Sequence, residues 1–316
     1  MRLGTSDLEV SRLCLGGNAF GWTADEATSF DVLDRFVAAG GTFVDTADMY
    51  GTSASGAVGG ESERIIGRWL RSRGNRDEVV IATKVGALPG LDNLRAETIR
   101  TAVDDSLRRL GTDHIDLYYA HVDDRGTPLL ETLTAFDELV RSGKVRHVAA
   151  SNYSADRLRA AVDLSRREGL TAYVALQAEY NLVQRRGYEE HLASAVAETG
   201  LTCLPYVALA RGFLTGKYRP GGPAVVSARA DRASVHLDGN GPAVLAAVEE
   251  VARARRTTMP AVALAWLAAQ PTVAAPLAGA RTPGQLLDLL PFLSLELGAD
   301  EVALLDEASA WTPPHD

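Results

Sequence analysis

The sequence predicts an α/β fold, and within that class a closed (β/α)8 TIM barrel with a helix after each of eight parallel strands. Three observations carry the expectation. Eight short β-branched runs alternate with longer segments whose apolar residues recur every three or four positions. Glycines punctuate the helix ends: Gly40, Gly111, Gly143, Gly169 and Gly200 each follow a helical stretch, and most precede the next strand by a few residues. The order of repeats implies a parallel sheet, and eight strands is the number that closes a barrel. The competing architecture is an open, doubly wound sheet, which usually carries a G-x-G-x-x-G turn after its first strand. Here the first strand runs into Gly16-Gly17-Asn18-Ala19-Phe20, and the lone Gly239-Asn240-Gly241 follows no strand.

Taken in chain order, Leu3–Val10 reads as a small hairpin over the barrel bottom. The expected strands are Arg12–Leu15, Thr42–Asp45, Val79–Lys84, Ile115–Ala120, Val145–Ala150, Val174–Gln177, Thr202–Tyr206 and Val273–Ala275. Between them, Asp25–Ala39 places Phe30, Leu33, Phe36 and Val37 on one helical face, and Arg95–Leu110 does the same with Ile99, Val103, Leu107 and Leu110. Ser154–Glu168, Glu189–Thr199 and Gly241–Arg255 share the pattern, with Asp92 and Ser154 as N-caps. Two loops stand out. Met49–Gly60 is rich in Gly and Ser, and the stretch after the seventh strand, about residues 207–240, is the longest in the chain. Loops of that length in a compact domain are usually functional or mobile.

The chain has 316 residues, which a length prior alone divides into two domains. No linker-like shift in composition appears, so residues 1–316 read as a single barrel domain. A net charge of −9 disfavours nucleic acid as a partner, because phosphate binding needs a basic face. Cys14 and Cys203 lie in separate apolar runs and read as two reduced, buried thiols of a cytoplasmic protein. Residues 257–280 carry no charge, and a membrane span needs about 20 such residues. Pro271 and Pro276 divide that stretch, which reads instead as a buried helix over Pro260–Ala269, a turn and a short strand. The N-terminus lacks the apolar core of a signal peptide. No Cys/His spacing suggests a metal site.

In a barrel of this kind, reactive side chains project from the C-terminal strand ends. Strands two, three and four are adjacent and deliver Asp45, Lys84 and His121 to one rim, with Tyr50 five residues beyond Asp45. Singly, each has an ordinary alternative as a cap, a structural ion pair or a satisfied polar group. Jointly they form a coherent set for proton transfer. An ammonium beside a phenol lowers its pKa, a carboxylate holds the ammonium charged, and a neutral histidine can hydrogen-bond a carbonyl or alcohol oxygen. Such a set suits protonation of an oxygen while a hydride reaches the carbon. His114, His147 and His191 fall in strand or helix bodies and read as structural, while Met259 and Trp266 read as core. Trp22 reads equally as rim packing or as a wall of the substrate pocket.

Along nearly its full length the chain resembles the aldo-keto reductases. The stretches that carry the resemblance are LGGNAFGW (15–22), FVDTADMYG (43–51), GESERIIGRWL (60–70), ATKVG (82–86), DLYYAH (116–121), GKVRHVAASNYS (143–154), LQAEYNL (176–182) and GFLTGKY (212–218), at matching spacing. The resemblance implies a TIM barrel that binds NADPH without a Rossmann motif and reduces an aldehyde or ketone to an alcohol. It implies catalysis by Tyr50, supported by Asp45, Lys84 and His121. It further implies that Ser151, Asn152 and Gln177 hold the nicotinamide carboxamide, and that Tyr206 stacks beneath the ring. Leu209, Gly212 and Lys217 resemble the pyrophosphate clamp, and Gly279, Arg281 and Gln285 the adenosine end. An Arg at that end suits a 2′-phosphate, which favours NADP over NAD.

Three departures from the family pattern touch the site. Val207-Ala208 replaces the usual Ser-Pro after Tyr206, Leu289 stands where an Asn is usual near the adenine, and Val122-Asp123-Asp124 follows His121. GFLTGKY also has a faint likeness to a phosphate loop, but has three residues between its glycines and no trailing Ser or Thr, which argues against a nucleotide triphosphatase. Two other functions stay open: an NADPH-sensing binding module, against which the complete set of four argues, and a lyase or isomerase on the same barrel, which would need no NADPH. No motif names the substrate beyond a small carbonyl or alcohol compound, and none sets the oligomeric state.

Overall fold

The computed structural model describes all residues except 53–55, 57 and 312–316, so part of the Met49–Gly60 loop lies outside the described residues. Eight parallel strands form the sheet: β1 (Cys14–Gly16), β2 (Phe43–Asp45), β3 (Val80–Val85), β4 (Ile115–Ala120), β5 (Val145–Ser151), β6 (Ala175–Glu179), β7 (Thr202–Tyr206) and β8 (Leu277–Ala278). The hydrogen-bonded order runs from β7 through β6, β5, β4, β3, β2 and β1 to β8. Closure of the ring is made by the segment just before β8. Cys203 pairs with Val273, with the Cys203 amide donating to the Thr272 carbonyl at 2.7 Å and the Ala274 amide to the Cys203 carbonyl at 3.0 Å. This is the expected TIM barrel.

The eighth strand corrects the sequence expectation. Val273–Ala275 borders β7 only as an isolated bridge, and the strand proper lies later, at Leu277–Ala278, against β1. Pro276 explains the division. It has no N–H for a ladder, yet its carbonyl still accepts from the Cys14 amide at 3.0 Å. One side of the segment thus closes on β7 and the other on β1.

Strand alternation splits the apolar side chains into two cores. Cys14, Phe43, Ala82, Leu117, Tyr119, Ala149 and Leu204 fill the barrel interior, together with Leu3, Leu8 and Val10. The N-terminal hairpin, closed by the antiparallel bridge Arg2–Glu9, therefore caps this interior as expected. Outward-facing Val44, Ile81, Tyr118, Val148 and Leu176 pack beneath the helices. Cys14 belongs to the inner core and Cys203 to the outer one, and both are free and buried.

Helix ends follow the local chemistry. Asp25 caps Glu26–Ala38 by accepting from the Thr28 amide at 2.9 Å, and Ser154 caps Ala155–Glu168. Such caps contribute about 1 kcal/mol each. Gly111, Gly169 and Gly200 end their helices in the left-handed conformation. Asp92, in contrast, is not a cap. The helix starts at Ala96, where Glu131 takes the Ala96 amide at 3.0 Å and Asn93 takes the Arg95 amide at 3.1 Å. The expected helix over Glu189–Thr199 is two pieces, Arg186–Glu189 and Ala193–Thr199. Glu189 accepts from Tyr180, Arg185 and Trp311, which ties the first piece to its own neighbours. Helices over Glu61–Arg73 and Leu129–Arg141 complete the layer behind β2 and β4.

The uncharged stretch forms a helix over Met259–Ala268, capped by Thr258, with Trp266 fully buried and Met259 partly so. Among the described residues no helix is long and apolar enough to cross a membrane. The long seventh loop is structured: a 3₁₀ turn spans Ala210–Thr215, and short helical pieces follow at Ala230–Ser234 and Val235–Leu237.

Candidate active site

At the C-terminal mouth of the barrel lies a cavity of about 520 Å³. Its floor is assembled from consecutive strand ends. Asp45 is the last residue of β2, Lys84 lies near the end of β3, and His121 follows β4. Ser151 ends β5, Gln177 lies on β6, Tyr206 ends β7, and Gly279 follows β8.

Asp45 and Lys84 are fully buried below this floor. The Lys84 ammonium donates to Asp45 Oδ2 at 2.5 Å, to the Thr46 carbonyl at 2.7 Å and to the Tyr50 hydroxyl at 3.2 Å. Gln177 donates to the other Asp45 oxygen at 3.0 Å. The ammonium is thereby surrounded by acceptors. Burial pulls Lys84 down, but Asp45 and Tyr50 outweigh it and hold the group above its ordinary value. Burial likewise pushes Asp45 up, against the pull of Lys84.

Tyr50 corrects one expectation. Lys84 does draw the phenol toward ionisation, but burial exceeds that pull and Asp45 opposes it, so its pKa lies above the ordinary value. The group is a protonated phenol at neutral pH. His121 meets Tyr50 edge to face, with ring centroids 6.2 Å apart. Burial and the neighbouring Lys84 bring His121 down to about 3, so its imidazole is neutral at physiological pH. Its Nδ1 has no partner among the described residues.

Opposite this group, Ser151, Asn152 and Tyr206 form a connected set. Asn152, in the left-handed region at φ 57°, donates to the His121 carbonyl at 2.9 Å and to Ser151 Oγ at 3.1 Å. The Tyr206 hydroxyl donates to Asn152 Oδ1 at 2.8 Å. Trp22, Leu209, Gly212, Lys217, Arg281 and Gln285 line the rest of the cavity. Every residue that the resemblance assigns to catalysis or cofactor binding thus lines this pocket, except Asp45 and Lys84, which support it from beneath.

The pocket's chemistry fits a dinucleotide. Lys217 and Arg281 line its far end in a chain whose net charge is −9. The backbone is bare where a diphosphate would press against it: a Cβ on Gly279 would meet the Gly16 carbonyl at 2.9 Å, and one on Gly212 would meet Lys217 Nζ at 3.2 Å. Gln285 accepts the Arg281 amide at 2.9 Å and so orients that turn.

Sequence reading missed two features of the pocket. Val207 adopts φ 53°, a left-handed conformation costly for a β-branched residue, with its carbonyl held by Asn181 at 3.1 Å. Arg229, from the far limb of the seventh loop, lies over Trp22 with its guanidinium 5.6 Å from the ring centroid. Neither had a local signal, since both depend on how the long loop folds back. Trp22 is a pocket wall. His114 bonds Asp113, His147 bonds Asp7, and the exposed His191 lies between the two short helices, so all three are remote from the pocket. Among the described residues no cluster of His, Cys, Asp or Glu could hold a metal ion.

A buried Lys–Asp pair beneath a phenol, at the cation-lined mouth of a parallel eight-stranded barrel, is an arrangement suited to proton transfer beside a bound anionic group. The comparison with known proteins gives the particular family. Residues 12–310 match the model of the Aldo/keto reductase family, and the chain belongs to that family. It is 35% identical over 315 residues to the uncharacterized oxidoreductase YrpG of Bacillus subtilis, covering 96% of this chain and 94% of the relative. It is 33% identical over 333 residues to protein tas of Escherichia coli, covering 96% of each. The norsolorinic acid reductase stcV of Emericella nidulans is 30% identical over 319 residues, covering 95% of this chain and 78% of the relative.

Proposed function

We propose that this oxidoreductase reduces an aldehyde or ketone to the alcohol with NADPH, reversibly, the whole chain acting as one catalytic unit. The observation that carries the reading is the Lys84 ammonium, buried against Asp45 and hydrogen-bonded to the Tyr50 hydroxyl at 3.2 Å on the pocket floor. When bound, the dihydronicotinamide supplies a hydride to the carbonyl carbon. Tyr50 gives its proton to the carbonyl oxygen, and the phenolate left behind is stabilised by Lys84. Asp45 keeps Lys84 charged and fixed in that direction. Neutral His121 orients the carbonyl oxygen toward the phenol, a task for which an imidazolium is not required. In the reverse direction the same phenolate accepts the alcohol proton.

Ser151, Asn152 and Gln177 provide the amide and hydroxyl groups that a carboxamide needs, and Tyr206 offers a ring face beside them. Leu209, Gly212 and Lys217 suit the diphosphate, while Gly279, Arg281 and Gln285 suit the adenosine end. Arg281 supports NADPH over NADH, because a guanidinium pairs bidentately with a 2′-phosphate. Two free, buried thiols suit a reducing compartment, which supports a cytoplasmic location.

The test is the Tyr50→Phe variant. We expect it to lose NADPH oxidation with a reactive aldehyde while binding NADPH, followed by fluorescence titration, with the affinity of the parent protein. Full turnover in that variant would sink the mechanism.

A further inference from the structure

The Lys84 ammonium has three N–H groups, and all three are engaged: with Asp45 at 2.5 Å, the Thr46 carbonyl at 2.7 Å and the Tyr50 hydroxyl at 3.2 Å. The two shorter bonds draw it toward the end of β2. The longest is the one that the proposed proton transfer uses. Lysine carries its charge on a flexible four-carbon stem, so these bonds by themselves leave the ammonium room to swing away from the phenol. On the side of β4 that swing is limited by Tyr119.

Tyr119 is the cross-strand partner of Lys84, the two being paired in register on β3 and β4. Its side chain belongs to the barrel interior and is fully buried. The ammonium lies over the Tyr119 ring, 5.4 Å from its centroid, as it lies over the Tyr50 ring at 4.8 Å. Both distances are within the roughly 6 Å reach of a cation–π contact, which gains strength when the cation is desolvated. Lys84 is desolvated completely. The Tyr119 hydroxyl has no partner among the described residues, and burial holds the phenol well above its ordinary value. What the residue offers the ammonium is therefore a neutral ring face. Tyr119 lies outside the lining of the cavity, so it acts on neither substrate nor cofactor directly.

We propose that Tyr119 is a positioning residue, whose ring face holds the Lys84 ammonium in the direction of the Tyr50 hydroxyl. This rests on the reductase reading of the pocket above it, with Tyr50 as the proton donor.

The experiment compares Tyr119→Phe, which keeps the ring, with Tyr119→Leu, which removes it. A trifluorinated phenylalanine at the same position keeps the ring's shape but withdraws the negative charge from its face, so it tests the contact without opening a cavity. Tyr118→Leu is the control, because the Tyr118 ring is also fully buried but packs in the outer core, edge to face with Phe136 at 5.8 Å. With a reactive aldehyde we expect Tyr119→Phe to keep kcat within about twofold. Tyr119→Leu should lose about threefold to thirtyfold in kcat with KM and NADPH affinity unchanged, the size of a desolvated cation–π contact. The fluorinated variant should follow Tyr119→Leu, while Tyr118→Leu should lose stability and keep kcat. A second readout needs no turnover. The chain has three lysines, Lys84, Lys144 and Lys217, so NMR of isotope-labelled lysine, assigned with Lys144→Arg and Lys217→Arg, follows the Lys84 ammonium by itself. Its protons should exchange with water about threefold faster or more in Tyr119→Leu and in the fluorinated variant than in the parent or Tyr119→Phe. Parental kcat and exchange in the fluorinated variant overturn the proposal, as does an equal loss of kcat in Tyr118→Leu. Ring-dependent exchange in a parent protein that reduces no aldehyde sinks the reductase reading and upholds the positioning of Lys84. Aldehyde turnover with kcat and exchange both indifferent to the ring does the reverse.

Discussion

Strand β3 presents two neighbouring polar side chains to opposite faces of the sheet, and each meets a buried carboxylate. Inside the barrel, Lys84 bonds Asp45 at 2.5 Å, and both are fully buried. Outside, Thr83 donates to Glu63 at 2.6 Å, and Arg109 donates to the other Glu63 oxygen at 2.6 Å. The chemistry is nearly the same, a desolvated acid matched by a base and a neutral donor. What differs is the remaining valence. Glu63 is closed on both oxygens, and Arg109 spends a second donor on Ser106 at 3.2 Å. Lys84 keeps a third direction, toward Tyr50 and the open pocket. A buried ion pair is weak support for stability by itself, since the desolvation cost rivals the attraction. The outer pair therefore reads as a brace between two helices and the sheet, and the inner one as the device that, in the proposed mechanism, holds charge beside the Tyr50 phenol.

The strongest way to break this contrast is Lys84→Met. Removing the ammonium takes away the group that stabilises the Tyr50 phenolate, so kcat should fall by about 10²–10⁴ in protein that still folds and binds NADPH. Steady-state turnover with a reactive aldehyde measures it. A variant with near-parental kcat would make the inner pair a brace like the outer one. Arg109→Met is the counterpart. A buried partner left alone costs about 3–5 kcal/mol, and somewhat less here because Arg109 is 14% exposed. Urea denaturation should show that loss, while kcat of the folded protein is retained. If Arg109→Met instead loses turnover at undiminished stability, the outer pair belongs to the active site.

Much of this is legible in the amino-acid sequence. The alternation of strand and helix gave the barrel, because a parallel sheet needs a crossover after each strand. Asp45, Lys84 and His121 were readable because strand ends have a defined place in that fold. The failures share a cause. The eighth strand was placed at Val273–Ala275 because apolar run length carries no information about which neighbour each backbone amide meets across Pro276. The upward direction of the Tyr50 phenol depends on how much water the pocket excludes, which sequence spacing does not contain. Arg229 is one arginine among several in a loop, and only the folded path of residues 207–240 sets it over Trp22.

The smallest effect probes Asp48, which lies between the two pairs. It is fully buried, and neither of its oxygens has a partner among the described residues. Burial, and then the charge of Glu63, raise it to about 7, against the pull of Arg109 and Lys84. Its ordinary value is 3.8, so between about pH 4 and 7 the folded chain holds a proton that the unfolded chain has lost. Asp48 therefore makes stability fall as pH rises through that window. His121 has the opposite sign. Its ordinary value is 6.5 and its folded value about 3, so below pH 6.5 the unfolded chain binds the extra proton and stability rises with pH. The two slopes, each up to about 1.4 kcal/mol per pH unit, oppose one another between about pH 4 and 6.5. In the parent protein they largely cancel. Asp48→Asn should expose the His121 slope, so that its stability relative to the parent increases with pH across that range. His121→Gln should expose the Asp48 slope and run the other way. Denaturation midpoints measured at several pH values report both, and parallel curves for the two variants would mean that burial does not shift Asp48 and His121 in opposite directions.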